Sequence, residues 1–243
     1  MTAIRTTDLC RTFGDVRAVD HLNLCVEEGE IYALLGVNGA GKTTTIRMLS
    51  CLLKPDSGDA ELLGHSIVHD PAAVKRIINV SPQETAVARN LTVRENLMLI
   101  ARIYGFSKQE AAARTTELLN ALELGEVASR KAGTLSGGYQ RRLSIAMALV
   151  SRPKILFLDE PTLGLDVLAR RALWKFIERL RGEMTVILTT HAMDEAQALS
   201  DHVGIVSKGA LRAFGTVNEL MERTGAETFE DAFVRLVSEE AER

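Results

Sequence analysis

Cysteine is scarce in this chain and basic charge is not in excess. Its 243 residues include only Cys10, Cys25 and Cys51, an odd number without metal-like spacing. Neither a disulfide framework nor a zinc cluster is expected, and all three read as reduced thiols of a cytosolic protein. The net charge of −3 and a pI near 6.0 provide no global basic field to hold nucleic acid. The short basic pairs Arg141–Arg142 and Arg170–Arg171 read as solvated helix faces. No apolar run approaches the roughly 18 residues that a membrane span needs; Ile145–Val150 and Leu97–Ile100 are core-sized. The opening Met1-Thr-Ala-Ile-Arg-Thr lacks the apolar core of a signal peptide. If the protein serves a membrane, it is expected to do so from the aqueous side, through a partner. The sequence shows no internal repeat and no low-complexity tract.

What is present is an ordinary globular balance, 46% hydrophobic and 25% charged, on a chain long enough for one large domain or two small ones. Ile31–Leu35 is a short apolar run ending at Gly36, and Thr43–Cys51 then reads as a helix free of Gly and Pro. A strand is expected near Ala60–Leu63, and Ile77–Gln83 reads as a second strand, Ile77–Val80, leading into a loop. From Glu84 to about Ser151 the pattern turns helical, over Val93–Tyr104, Lys108–Leu122 and Gly138–Val150. This is read as a helical subdomain, about 84–152, inserted in an α/β core. After it, Lys154–Glu160 reads as a buried strand bounded by Pro153 and Pro161. Leu168–Arg181, Thr185–Thr189, Met193–Leu199 and His202–Ser207 then alternate helix with strand, which argues for a largely parallel sheet. The charged tail from Thr228 carries Phe229, Phe233, Val234 and Val237 at spacings that fit a short docking helix.

The first chemical signal is Gly36-Val-Asn-Gly-Ala-Gly41-Lys42-Thr43, which fits GxxxxGK[ST] between a strand and a helix. Glycines let successive backbone N–H groups turn around phosphate oxygens where side chains would block the approach. The helix that begins near Lys42 points its positive end at the same anion. Lys42 would reach the β- and γ-phosphates, and the Thr43 hydroxyl would bind Mg²⁺. Gly36, Asn38, Gly39, Ala40, Gly41, Lys42, Thr43 and Thr44 are therefore candidate nucleotide contacts.

Leu156-Phe-Leu-Asp159-Glu160 ends a second apolar strand in acid. Alone, that is as readily a strand end with a solvated carboxylate. Beside a phosphate loop, Asp159 would hold Mg²⁺, directly or through water, and Glu160 would polarise the attacking water. His191 follows the apolar run Thr185–Thr190 and would contact the γ-phosphate; His21, His65, His69 and His202 are read as structural. Gln83 lies in a loop after a strand, where it would sense the γ-phosphate or Mg²⁺, although a loop glutamine alone carries no meaning. Ser136-Gly137-Gly138 opens another apolar helix, a second N-terminus suited to an anion. Two phosphate sites of different kinds, in different subdomains, imply a head-to-tail dimer with ATP at the seam.

The set GVNGAGKT, Gln83, LSGG, LFLDEP, GLD and His191, in this order, resembles the ATP-binding subunit of an ABC transporter, over Ile4 to Met221. The resemblance implies a P-loop NTPase core of α/β class with a mixed sheet, an N-terminal antiparallel β subdomain and a helical insertion. The cassette would span 1–225, with a tail helix in 226–243. It implies ATP and Mg²⁺ as ligands, a second cassette as partner, and a polytopic membrane permease driven by closure of the dimer and reset by hydrolysis. It places the protein at the cytoplasmic face of the cell membrane. By position, Phe13 would stack on adenine where relatives usually carry Tyr. Thr43, Gln83 and Asp159 would surround Mg²⁺, and Glu160 would be the catalytic carboxylate. Ser136, Gly137 and Gly138 would act on the partner's nucleotide, and Asp166 would lie at the dimer seam. Tyr139 stands where many relatives have Gln.

"GAGKTTTIRML", "LTVRENL", "EPTLGLDVLARRALW", "TTHAMDEA" and the tail "FEDAFVRLV" are similar to subunits of ABC-2-type exporters. Importer subunits more often carry a long regulatory domain after the core. Two other readings compete. A soluble ABC-type ATPase acting on an assembly or on nucleic acid would often carry two cassettes, coiled-coil insertions or basic extensions. A nucleotide switch with little turnover would often lack the carboxylate at Glu160.

Overall fold

The computed structural model describes residues 1–238. The chain opens with β1 (Thr2–Phe13), β2 (Val16–Leu22) and β3 (Cys25–Glu27), followed by β4 (Ile31–Leu35) and α1 (Lys42–Leu49). Next come β5 (Ser57–Leu62), β6 (His65–Ser66), α2 (Pro71–Ile77) and β7 (Ile78–Ser81). Three helices follow, α3 (Val93–Ile103), α4 (Lys108–Ala121) and α5 (Gly137–Leu149). The last part runs β8 (Ile155–Asp159), α6 (Val167–Glu178), β9 (Thr185–Thr190), α7 (Met193–Leu199), β10 (His202–Ser207), β11 (Ala210–Gly215), α8 (Val217–Thr224) and α9 (Phe229–Ser238). The last helix falls within the tail 226–243, of which residues 239–243 lie outside the described residues.

Two sheets form. The smaller is antiparallel, in the order β2-β1-β5-β6, with β3 also pairing with β1. The larger runs β11-β10-β4-β9-β8-β7 and is parallel throughout except at its β10–β11 edge. The fold is thus of α/β class with a mixed sheet. β4, β8 and β9 are buried at every position, as expected for central strands of a sheet covered on both faces.

The strand period of two divides these residues between two cores. Ile31, Ala33, Leu35, Leu156, Leu158, Val186 and Leu188 face the helices. Tyr32, Leu34, Ile155, Phe157 and Ile187 face the antiparallel sheet, with Ile46, Met48 and Leu49 of α1 packed among them. Leu97, Leu118, Leu119, Leu143 and Ile145 of the helical segment join the first core, so this segment shares its apolar interior with the sheet.

The topology gathers the chemistry at one edge. β4, β9 and β8 are neighbours in the sheet. Leu35 pairs with Thr190, and Thr189 with Asp159, so the three strands end level with one another. The next residues, Gly36, His191 and Glu160, must then converge. No helix among the described residues is long and apolar enough to cross a membrane.

Candidate nucleotide-binding and hydrolytic site

The glycine loop is set by close approaches. A Cβ at Gly36 would lie 2.3 Å from the Val206 carbonyl oxygen. At Gly41 it would lie 2.2 Å from that of Ala18, and Gly41 also has φ +102°, so glycine is required there twice over. Gly41 is the N-cap of α1 and offers no side-chain hydrogen bond; nor does the first turn contain an acidic residue. The open N–H groups and the positive end of the helix are therefore available to an anion.

Lys42 folds back over the loop. Its Nζ donates to the Gly36 carbonyl at 2.6 Å and to that of Val37 at 3.3 Å, and lies 3.3 Å from Glu160 Oε1. Thr43 and Thr189 both donate to Asp159 Oδ1, at 3.2 and 2.6 Å. Glu160 adopts φ +48°, a left-handed conformation that costs a non-glycine residue about 1–3 kcal/mol. It is held there by its N–H, which donates to the carbonyl and hydroxyl of Thr189. Its side chain is 8% exposed and lies between two partners, Lys42 on one oxygen and His191 Nδ1 on the other, at 2.8 Å. A carboxylate only accepts, so Nδ1 points a hydrogen at Glu160.

These groups line one end of a cavity of about 510 Å³ whose walls include Val16, Ala18, Asn38, Gly39, Ala40, Thr44, Gln83 and Leu163. Asp159 sits behind it, 4% exposed. The structure thus brings together the candidates at 36–44, Gln83, Asp159, Glu160 and His191. It does not bring Phe13, Ser136, Gly137, Gly138 or Asp166 to the cavity wall. Phe13 is half-exposed at the end of β1, with the Arg11 guanidinium 4.9 Å above its ring; its strand partner Val16 lines the cavity instead. Ser136 and Gly137 are exposed at the N-terminus of α5, and the Ser136 side chain makes no capping bond. Asp166 caps α6 by accepting from the Ala169 N–H at 2.9 Å.

One expectation is corrected. Arg141 is not on a solvated face: it is 5% exposed and donates to the carbonyls of Pro82 and Gln83 at 2.7 and 2.5 Å. Burial pushes its guanidinium pKa down, opposed by the nearby Asp159, Glu160 and Glu195. The helix that starts at Ser136 therefore grips the loop that carries Gln83. Thr189 also went unread: a threonine inside an apolar strand reads as β propensity, and only the pairing register shows its hydroxyl beneath Asp159.

A phosphate loop after one strand, with paired acids ending another strand of the same parallel sheet, defines a P-loop nucleotide hydrolase. The family model for ABC transporters matches residues 19–163, and the chain belongs to that family as an ATP-binding ATPase cassette. Among its relatives, the daunorubicin/doxorubicin resistance ATP-binding protein of Streptomyces peucetius is 43% identical over 92% of this chain and 68% of its own length. The doxorubicin resistance ATP-binding protein of Mycobacterium tuberculosis is 42% identical over 92% of this chain and 66% of its own. The chain thus spans about two thirds of the length of these two relatives. A solved ATP-binding subunit of an ABC transporter superposes with a TM-score of 0.85 at 28% identity, over 97% of this chain and 99% of that one. A dimeric ATP-binding cassette in a post-hydrolysis state with ADP and Pi gives 0.79 at 26% identity, over 88% and 98%.

Proposed function

We propose that the chain is the ATP-hydrolysing motor subunit of an ABC-2-type exporter, acting at the cytoplasmic face of the cell membrane beneath a polytopic permease. The observation that carries the catalytic part is the row Lys42–Glu160–His191 at the mouth of the glycine loop. Lys42 is buried and paired with Glu160, and phosphate oxygens offer it a better partner. When it turns to the β- and γ-phosphates, Glu160 Oε1 is released to accept a proton from the attacking water. His191 Nδ1 keeps the other oxygen in place, and the ring, which lines the cavity, would bear on the γ-phosphate.

The donor set of Thr43, Asp159 and Gln83 is all oxygen when the glutamine presents its carbonyl, and this suits Mg²⁺. The ion, when bound, would neutralise charge on the phosphates. Phe13 would bear on the adenine from the rim. The exposed N-terminus at Ser136, Gly137 and Gly138 would complete the site of a second cassette, with Asp166 at the seam. The cassette is taken as residues 1–225, with the helical subdomain at 84–152 and the tail at 226–243.

Support for export comes from relatives named for daunorubicin and doxorubicin resistance and from the phospholipid-transporting ATPase ABCA3 of Homo sapiens, 41% identical over 87% of this chain but only 12% of that protein. The test is an affinity pull-down from detergent-solubilised membranes of the encoding organism, with mass spectrometry. A stoichiometric polytopic membrane protein is expected. Recovery of soluble partners alone would overturn the transporter reading in favour of a soluble ATPase.

A further inference from the structure

Glu195 has no assigned part in hydrolysis, yet it is 1% exposed and close enough to Glu160 for the two charges to interact. It stands in the first turn of α7. Burial raises its carboxyl above the usual carboxylate range, and burying an acid is costly unless it is paired. Its hydrogen-bond partner comes from a separate helix. Trp174 of α6, the only tryptophan in the chain, donates its Nε1–H to Glu195 Oε1 at 3.2 Å. The hydroxyls of Thr162 and Thr190 lower the same carboxyl against the effect of burial. Thr162 lies between Glu160 and Asp166, and Thr190 immediately precedes His191. A second tie runs along the rim, where Arg170 of α6 lies 3.0 Å from Asp194 and stacks 5.2 Å above the Trp174 ring.

We infer that Glu195 is a positioning residue that ties the helix after His191 to the helix capped by Asp166, so that displacement of α6 reaches the His191–Glu160 pair through this buried carboxylate, beside the rim tie of Arg170 to Asp194. A leucine would fill the space, but only an acceptor can hold the indole N–H of Trp174. The donor sits on the helix capped by Asp166, and Glu195 itself lies on the helix that follows His191, which a carboxylate serving stability alone would not require. The inference rests on the motor reading, since it concerns ATP turnover.

The test compares Glu195→Ala and Glu195→Gln in the full chain. Steady-state turnover gives kcat and KM for ATP, and Trp174 emission is followed on ATP addition in a Glu160→Gln background. Glu195→Ala should lower kcat by about 10- to 100-fold, the scale of a small misplacement of catalytic groups, with KM for ATP little changed. The ATP-induced change in Trp174 emission should be lost although a fluorescent ATP analogue still binds. Glu195→Gln, which keeps an acceptor for Trp174, should recover most of the turnover and the emission response. Wild-type kcat in Glu195→Ala would overturn the inference, as would loss of nucleotide binding and thermal stability in both variants together, which marks a role in stability alone. A wild-type chain without any turnover would instead strike the motor reading and the inference with it, so the two failures are distinguishable.

Discussion

At the scale of single residues, Glu160 is where geometry and chemistry meet. Its left-handed backbone turns the carboxylate off the strand line and places it between Lys42 and His191. Replacing it with Gln keeps the volume and an acceptor for His191 but removes the base. Glu160→Gln should therefore lower ATP hydrolysis by about 10²–10⁴-fold, the range of general-base contributions, while ATP binding persists. Phosphate release in a single-turnover assay, set beside equilibrium binding of a fluorescent nucleotide, checks both halves. Wild-type-like turnover would remove Glu160 from the catalytic role. The residues legible in the sequence were those whose type and spacing carry phosphate chemistry. Arg141 and Thr189 were not, because their roles come from a loop and a strand brought beside them by the fold. An Arg-Arg pair on a helix has the same pattern whether it meets water or the carbonyls of Pro82 and Gln83.

At the scale of elements, the helices announce their own starts. Thr92 with Glu95, Ser107 with Glu110 and Thr216 with Glu219 each form a reciprocal capping box, at the first turns of α3, α4 and α8. Two of these boxes fix the starts at Val93 and Lys108, where the helical pattern of the sequence also begins. The antiparallel strands were less legible from pattern, since β1 is interrupted by register shifts near Cys10 and its alternation breaks there. Hydrogen bonds from the capping residues hold all three glutamates below the usual carboxylate range. The cap's backbone N–H leads for Glu95 and Glu219, and the Ser107 hydroxyl leads for Glu110. A lowered folded-state pKa means that the support is present above the unfolded value of about 4.3 and is lost as pH falls through the lowered values. A Glu95→Gln/Glu110→Gln/Glu219→Gln variant should melt below the wild type near neutral pH, and the gap should close in acid. Thermal melts across that range decide it; a gap independent of pH would show that these carboxylates do not act as capping charges.

At the scale of the whole molecule, one chain holds a phosphate cradle inside a cavity and an open helix N-terminus outside it. The two cannot serve one nucleotide within a single copy as folded, because Ser136 and Gly137 are exposed and lie off the cavity wall. Their separation is what makes a head-to-tail pair the economical reading: each copy brings what the other's cavity lacks. Hydrolysis would reopen such a pair, so the dimer should accumulate when binding is intact and chemistry is blocked. Glu160→Gln with ATP and Mg²⁺ should therefore elute as a dimer, with mass fixed by light scattering, and as a monomer without nucleotide. Adding Ser136→Arg places a bulky side chain at the exposed N-terminus without touching the cavity of its own copy. The double variant should bind ATP with the affinity of the single variant yet remain monomeric. If it still dimerises, the seam lies elsewhere and the second anion site has another use. If it loses ATP binding as well, Ser136 acts on the nucleotide within its own chain, and the head-to-tail arrangement fails.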